Sequence, residues 1–186
     1  MKLIILILMV FLYLSELIYC QEIKSTDFAN TIGIKHSNTT GYGAFYNRRL
    51  SENISIQFLA MYFYYFRQTD ELEHKNINYS LGTELQRNII RNENYRVYFL
   101  MGGYYYFDDD YKDYQNSQTL TIFNNSYNVA IGVAFEYQYK RFIFSAEIGY
   151  KFYEDNKTIT ELDKNPYPVL YRETKLAGGL TVGFIF

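Results

Sequence analysis

The feature that most constrains this chain is an alternation of period two that recurs eight times between Phe28 and the C-terminus. In the final segment Leu176, Gly178, Leu180, Val182, Phe184 and Phe186 share one face, and Lys175, Ala177, Gly179, Thr181 and Gly183 share the other. Before it, Phe142, Phe144, Ala146, Ile148, Tyr150 and Phe152 lie opposite Ser145, Glu147, Gly149 and Lys151. The stretches Tyr127 to Gln138, Tyr95 to Phe107 and Ile77 to Gln86 repeat the pattern. Ile54 to Arg67 alternates less cleanly, because Leu59, Met61 and Phe63 fall on its polar face. Tyr42 to Leu50 and Phe28 to His36 complete the set, the latter with Ile32 and Ile34 opposite Gly33 and Lys35. Successive side chains on a strand point to opposite faces, so period two reads as β-structure.

The segments run about 9 to 14 residues. A tilted strand needs about 9 to 11 residues to cross a bilayer, whereas soluble strands cluster near 5 to 6. The two faces then choose the environment. Turned inward, several strands' worth of large apolar side chains would overfill an eight-stranded interior. Turned outward, they form a lipid-facing band, and the lumen receives Lys35, Arg67, Glu84, Arg96, Glu136, Glu147, Lys151 and Lys175. Small residues on that same face, among them Gly82, Gly102, Gly132, Gly149, Gly179 and Gly183, relieve crowding inside a narrow barrel. An open sheet edge in hydrocarbon would leave peptide groups unpaired at several kcal/mol each, so the sheet must close. The expected fold is all-β: an eight-stranded antiparallel up-and-down transmembrane β-barrel. Within it, Lys35, Glu84, Arg96, Glu136, Glu147 and Lys151 are expected to form an ion-pair network, since charges sealed in a lumen require partners.

Connections sort by length. Ser51 to Asn53, Ile89 to Asn94 and Tyr139 to Arg141 are short. Gln68 to Lys75, Asp108 to Phe123 and Glu154 to Arg172 read as long polar loops, with Ser37 to Thr40 on their side by order. Short periplasmic turns alternating with longer surface loops are the pattern of bacterial outer-membrane barrels, and an even strand number puts both termini in the periplasm. Acidic residues crowd the long loops, and Arg48, Arg49, Arg87, Arg91, Lys140 and Arg141 crowd the short-turn side. The 22 Tyr and 15 Phe, with no Trp, supply aromatic girdles: Tyr62, Tyr64, Tyr105, Tyr150 and Phe152 near the long loops, and Tyr46, Tyr95 and Tyr137 near the short turns.

Residues 1–20 read as a secretory signal, with Lys2 before the apolar run Leu3 to Leu14, and 21–186 as one barrel domain. Two fates stand for Cys20: removal by cleavage near Cys20 and Gln21, or lipidation. A single cysteine excludes an intramolecular disulfide and a cysteine metal cluster. A net charge of -2 gives no electrostatic footprint for nucleic acid.

The run from Leu176 to Phe186, ending in Phe with apolar residues at every second position, and the strand-and-turn stretch Tyr42 to Asn53 carry a resemblance. With the export signal, they make the chain similar to the small bacterial outer-membrane β-barrel family, the OmpA/OmpX-like eight-stranded barrels. The resemblance implies an integral outer-membrane location and contact with outer-membrane lipids and lipopolysaccharide. It also implies recognition by the insertion machinery, with Leu180, Val182, Phe184 and Phe186 as the insertion signal.

Candidate chemistry is sparse. His36 and Ser37 would be needed together for a lipid A hydrolase, but neighbours on a strand point to opposite faces. His74 sits in an acidic stretch and reads as solvated. Asp108, Asp109, Asp110 and Asp113 lack the glycine and distal glutamate of a calcium loop. No metal or cofactor is expected. The leading reading is a non-enzymatic barrel presenting loops for adhesion, ligand contact or envelope integrity, with Pro166 to Tyr171 as an apolar contact stretch. A lipid A-modifying enzyme, a narrow ion-conducting pore and a soluble lipocalin-like barrel are the alternatives.

Overall fold

The computed structural model describes residues 30–70, 72–114, 118–161 and 165–186. The expected signal and Cys20 lie outside these residues. Eight strands follow in order: β1 (Asn30–Ser37), β2 (Gly41–Arg49), β3 (Ile54–Gln68), β4 (Leu72–Arg91), β5 (Tyr95–Tyr114), β6 (Gln118–Tyr139), β7 (Phe142–Glu161) and β8 (Tyr167–Ile185). Each pairs antiparallel with the next, and β1 pairs with β8 to close the barrel.

The alternation decides what each face meets. Ile34 is 68% exposed and Leu180 67%, whereas Glu84 is 1% exposed and Lys35 4%. Large apolar side chains outside and charges inside is the reverse of a soluble protein. With the ring closed along the apolar band, this arrangement suits a surrounding of lipid. The outward band includes Ile32, Phe58, Leu81, Phe99, Val133, Phe135, Phe144, Ile148 and Val182.

The expectation of long loops at one end is corrected. Asp108 to Phe123 and Glu154 to Arg172 are mostly strand, because β5, β6, β7 and β8 continue beyond the apolar band and pair with their neighbours. Asp and Asn are poor strand formers alone. Here side-chain bonds compensate: Asn76 Nδ2 donates across from β4 to Asp108 Oδ1 at 2.8 Å, and Lys112 Nζ donates along β5 to Asp110 Oδ2 at 2.7 Å. His74, expected to be solvated, instead lies on β4 with Nε2 2.6 Å from Asp110 Oδ1. Burial favours the neutral Asp110 carboxyl, but the hydrogen bonds from Lys112 and His74 outweigh it and hold the group below its ordinary 3.8.

The wall is therefore uneven. β1 and β2 stop at Ser37 and Gly41, while β8 continues without a β1 partner beyond Gly179, and β3 without a β2 partner beyond Ala60. The turn joining the short pair folds into the bore. Thr39 and Thr40 are buried, and their N–H groups donate to Ser37 Oγ at 3.0 Å each. Gly41, with φ +92°, permits the return into β2 at a backbone angle that other residues rarely adopt.

Candidate functional site in the barrel lumen

The inward face is layered. An apolar layer contains Phe45, Leu59, Tyr104, Ile143 and Ile185. Leu59, which breaks the polar pattern of its segment, belongs to it. A second apolar group joins Tyr98, Leu100 and Ala134. Tyr104 has room because glycines flank it: a Cβ on Gly82 would stand 2.1 Å from its ring and one on Gly102 2.5 Å from its hydroxyl.

Two ionic groups share this lumen. In the first, Lys35 Nζ lies 2.8 Å from Glu84 Oε2 and 2.7 Å from Glu147 Oε2. The lysine thus also holds one oxygen of Glu147. Its other oxygen accepts from Ser37 Oγ and, at 2.8 Å, from Thr40 Oγ1, which ties the folded-in turn to the wall. Tyr104 donates to Glu84 Oε2 at 2.9 Å.

In the second, Arg96 grips Glu136 with two bonds, Nε to Oε1 and Nη2 to Oε2, both 2.7 Å. Its guanidinium lies 4.3 Å from the centre of the Tyr98 ring. Gln86 joins the halves. Its Nε2 donates to Glu84 Oε1 at 2.7 Å, and its Oε1 accepts from Arg96, Asn47 and Ser55. The planar fork of arginine suits such bidentate pairing.

Five of the six residues expected in the network, Lys35, Glu84, Arg96, Glu136 and Glu147, thus meet in one connected set. Lys151 does not. It lies on β7 four residues beyond Glu147 towards the tall end, with its ammonium 4.7 Å from the Tyr153 ring centre. Arg67, expected inside, stands exposed at the tip of β3, because no β2 residue faces it there. Sequence reasoning missed Gln86, Ser37, Thr40 and Tyr104. Gln86 carried a usable signal: it is two residues from Glu84 and so shares its face.

The other candidates are also placed. His36 is exposed on the outer face and Ser37 is buried on the inner one, so the pair does not converge. Asp108, Asp109 and Asp110 are consecutive on β5 and alternate between faces, and no group of metal ligands gathers among the described residues. Leu180, Val182, Phe184 and Phe186 all lie exposed on the outside. At the end with the short turns, a polar recess of about 510 Å³, lined by Arg49, Glu52, Arg91 and Gln138 among others, runs inward as far as Arg96 and Glu136.

Solved structures of outer membrane proteins have a similar fold. A major outer membrane protein from Thermus thermophilus superposes with a TM-score of 0.53 at 10% identity, covering 87% of this chain and 100% of its own. The chain has the fold of the small outer-membrane β-barrels. The outer membrane protein AlkL, solved in lipid bilayers, matches this barrel with a TM-score of 0.51 at 11% identity, covering 89% of this chain and 95% of its own. Ail, the attachment invasion locus protein of Yersinia pestis, aligns with the barrel at a TM-score of 0.43 and 14% identity over 85% of this chain and 97% of its own. No family model matches the barrel's sequence, and no curated protein is significantly similar to it.

Proposed function

We propose that the chain is a non-enzymatic outer-membrane anchor whose bore is closed and which acts through the wall it raises outside the cell. The observation that carries this reading is the lumen network. Lys35, Glu84, Glu147, Gln86, Arg96 and Glu136 interlock, and the turn at Thr39 and Thr40 sits over them. Ions crossing this barrel would have to break those bonds and desolvate there. The short turns and both termini face the periplasm, and β4–β8 rise on the outer side among lipopolysaccharide. Leu180, Val182, Phe184 and Phe186 serve as the signal read by the insertion machinery. Contact with an extracellular ligand falls to the tall end, where Val169, Leu170 and Tyr171 are exposed near the tip of β8.

Planar-bilayer recording tests the closed bore. The refolded protein should give no discrete conductance steps, and steps from unmodified protein would refute closure. Adhesion of cells expressing a triple Ser variant at Val169, Leu170 and Tyr171 tests the contact surface. Adhesion should fall while heat-modifiable gel mobility stays; unchanged adhesion would remove that assignment.

A further inference from the structure

Beyond the folded-in turn, the inner wall of the tall end carries side chains that the lumen network does not use. Lys151 on β7 and Lys175 on β8 are direct register partners. Both ammonium groups stand near one ring, that of Tyr153, at 4.7 and 5.8 Å from its centre. Lys175 contacts Glu173 on its own strand at 3.4 Å. Lys151 forms no ion pair among the described residues. Asp155, the next acid on the inward face of β7, is engaged by Ser126 Oγ at 2.8 Å. Like charges directly opposite on a sheet repel, so the pair costs stability where it stands. Asp155 is taken up by Ser126 and by Tyr153, so the carboxylate of Glu173 alone faces the two ammonium groups and leaves net positive charge beside them.

Asn128 supplies an independent observation. It is the β6 partner of Tyr153, and its Oδ1 is buried with no hydrogen-bond donor. Buried acceptors are nearly always paired, so this one awaits a donor. Access is open from the side, because β8 has no β1 partner at Lys175.

From two cations, an aromatic face and a waiting acceptor, we propose that the tall end holds a phosphorylated sugar, its phosphate on Lys151 and Lys175 and a hydroxyl on Asn128 Oδ1. The phosphate is carried either by a free sugar entering from above or by a glycolipid headgroup entering through the side opening. The site lies apart from the lumen network, so it does not depend on the bore being closed.

Calorimetric titration of the full barrel in phosphatidylcholine nanodiscs tests the site, with glucose 6-phosphate as probe and glucose as control. Glucose 6-phosphate should bind saturably and glucose should not. K151M and K175M should each weaken binding by about tenfold or more, the scale of a lost charge-assisted hydrogen bond. K140M, at the β6–β7 turn, should leave it unchanged. Both test variants remove a repulsion, so they should fold, and gel mobility before and after boiling checks this. In the unmodified protein the Lys151 and Lys175 side-chain nitrogen resonances should shift on titration. No saturable binding, or unchanged affinity in K151M and K175M, overturns the proposal. Nanodiscs doped with lipopolysaccharide separate the sources: competition with glucose 6-phosphate that K151M abolishes supports the headgroup, and undiminished glucose 6-phosphate binding supports the free sugar.

Discussion

Replacing Arg96 with Met would keep an unbranched side chain and delete the guanidinium, together with its contact to the Tyr98 ring. Glu136, 8% exposed, would lose both 2.7 Å bonds, and Gln86 Oε1 would lose its 3.0 Å donor. Breaking one side of a buried pair typically costs about 3–5 kcal/mol, because the surviving charge stays desolvated and unpaired. A second change, Glu136→Gln, removes that charge, so R96M/E136Q should recover a large part of the loss. The coupling between the two sites should then reach about 2 kcal/mol or more, well above the 0.2–1 kcal/mol of exposed pairs. Urea unfolding of protein refolded into lipid vesicles, run on wild type, both single variants and the double, gives all four corners of the cycle. If R96M costs less than about 1 kcal/mol, water entering by the recess at the short-turn end solvates Glu136 freely, and the lumen is not sealed at that level.

Gly82→Ala places a methyl 2.1 Å from the Tyr104 ring, forcing it off Glu84. A loss of about 1–3 kcal/mol in the same unfolding assay is expected, relieved when Tyr104→Ala is added. Val133→Lys puts a charge midway along the outward face of β6 and should cost about 2–4 kcal/mol, where a lipid-free outer face would show almost none. The Asp110 carboxyl is held low in the folded protein, so its contribution is complete above its ordinary 3.8 and is lost as pH falls through the lower folded value. Amide exchange at the β4–β5 tip should accelerate below about pH 3.8 in wild type and much less in Asp110→Asn.

The barrel was legible in the sequence because its physics is periodic. Every second residue of β8 meets lipid, and that demand writes itself into Leu176 to Phe186. The core of the network was legible for the same reason, since Glu84, Arg96, Glu136 and Glu147 share faces with small residues. What was not legible depends on strands of unequal length. Acidic and amide residues along Asp108 to Phe123 look like a loop until neighbouring strands supply partners, and no local pattern announces those partners. Lys151 fits the inward parity of β7 but lies too far along it to reach Glu84 or Glu136. Parity gives the side of the wall and says nothing of height.

The brevity of β1 also governs how the cylinder is fastened. Its seam with β8 runs only from Thr31–Ile185 to Ser37–Gly179, whereas β5 and β6 are laced from Tyr95–Tyr137 to Tyr114–Gln118. That seam joins the residues most distant along the chain, and distant pairings form late. It is the last stitch in assembly. Lys35, reaching from β1 to carboxylates on β4 and β7, acts there as a rivet across the join.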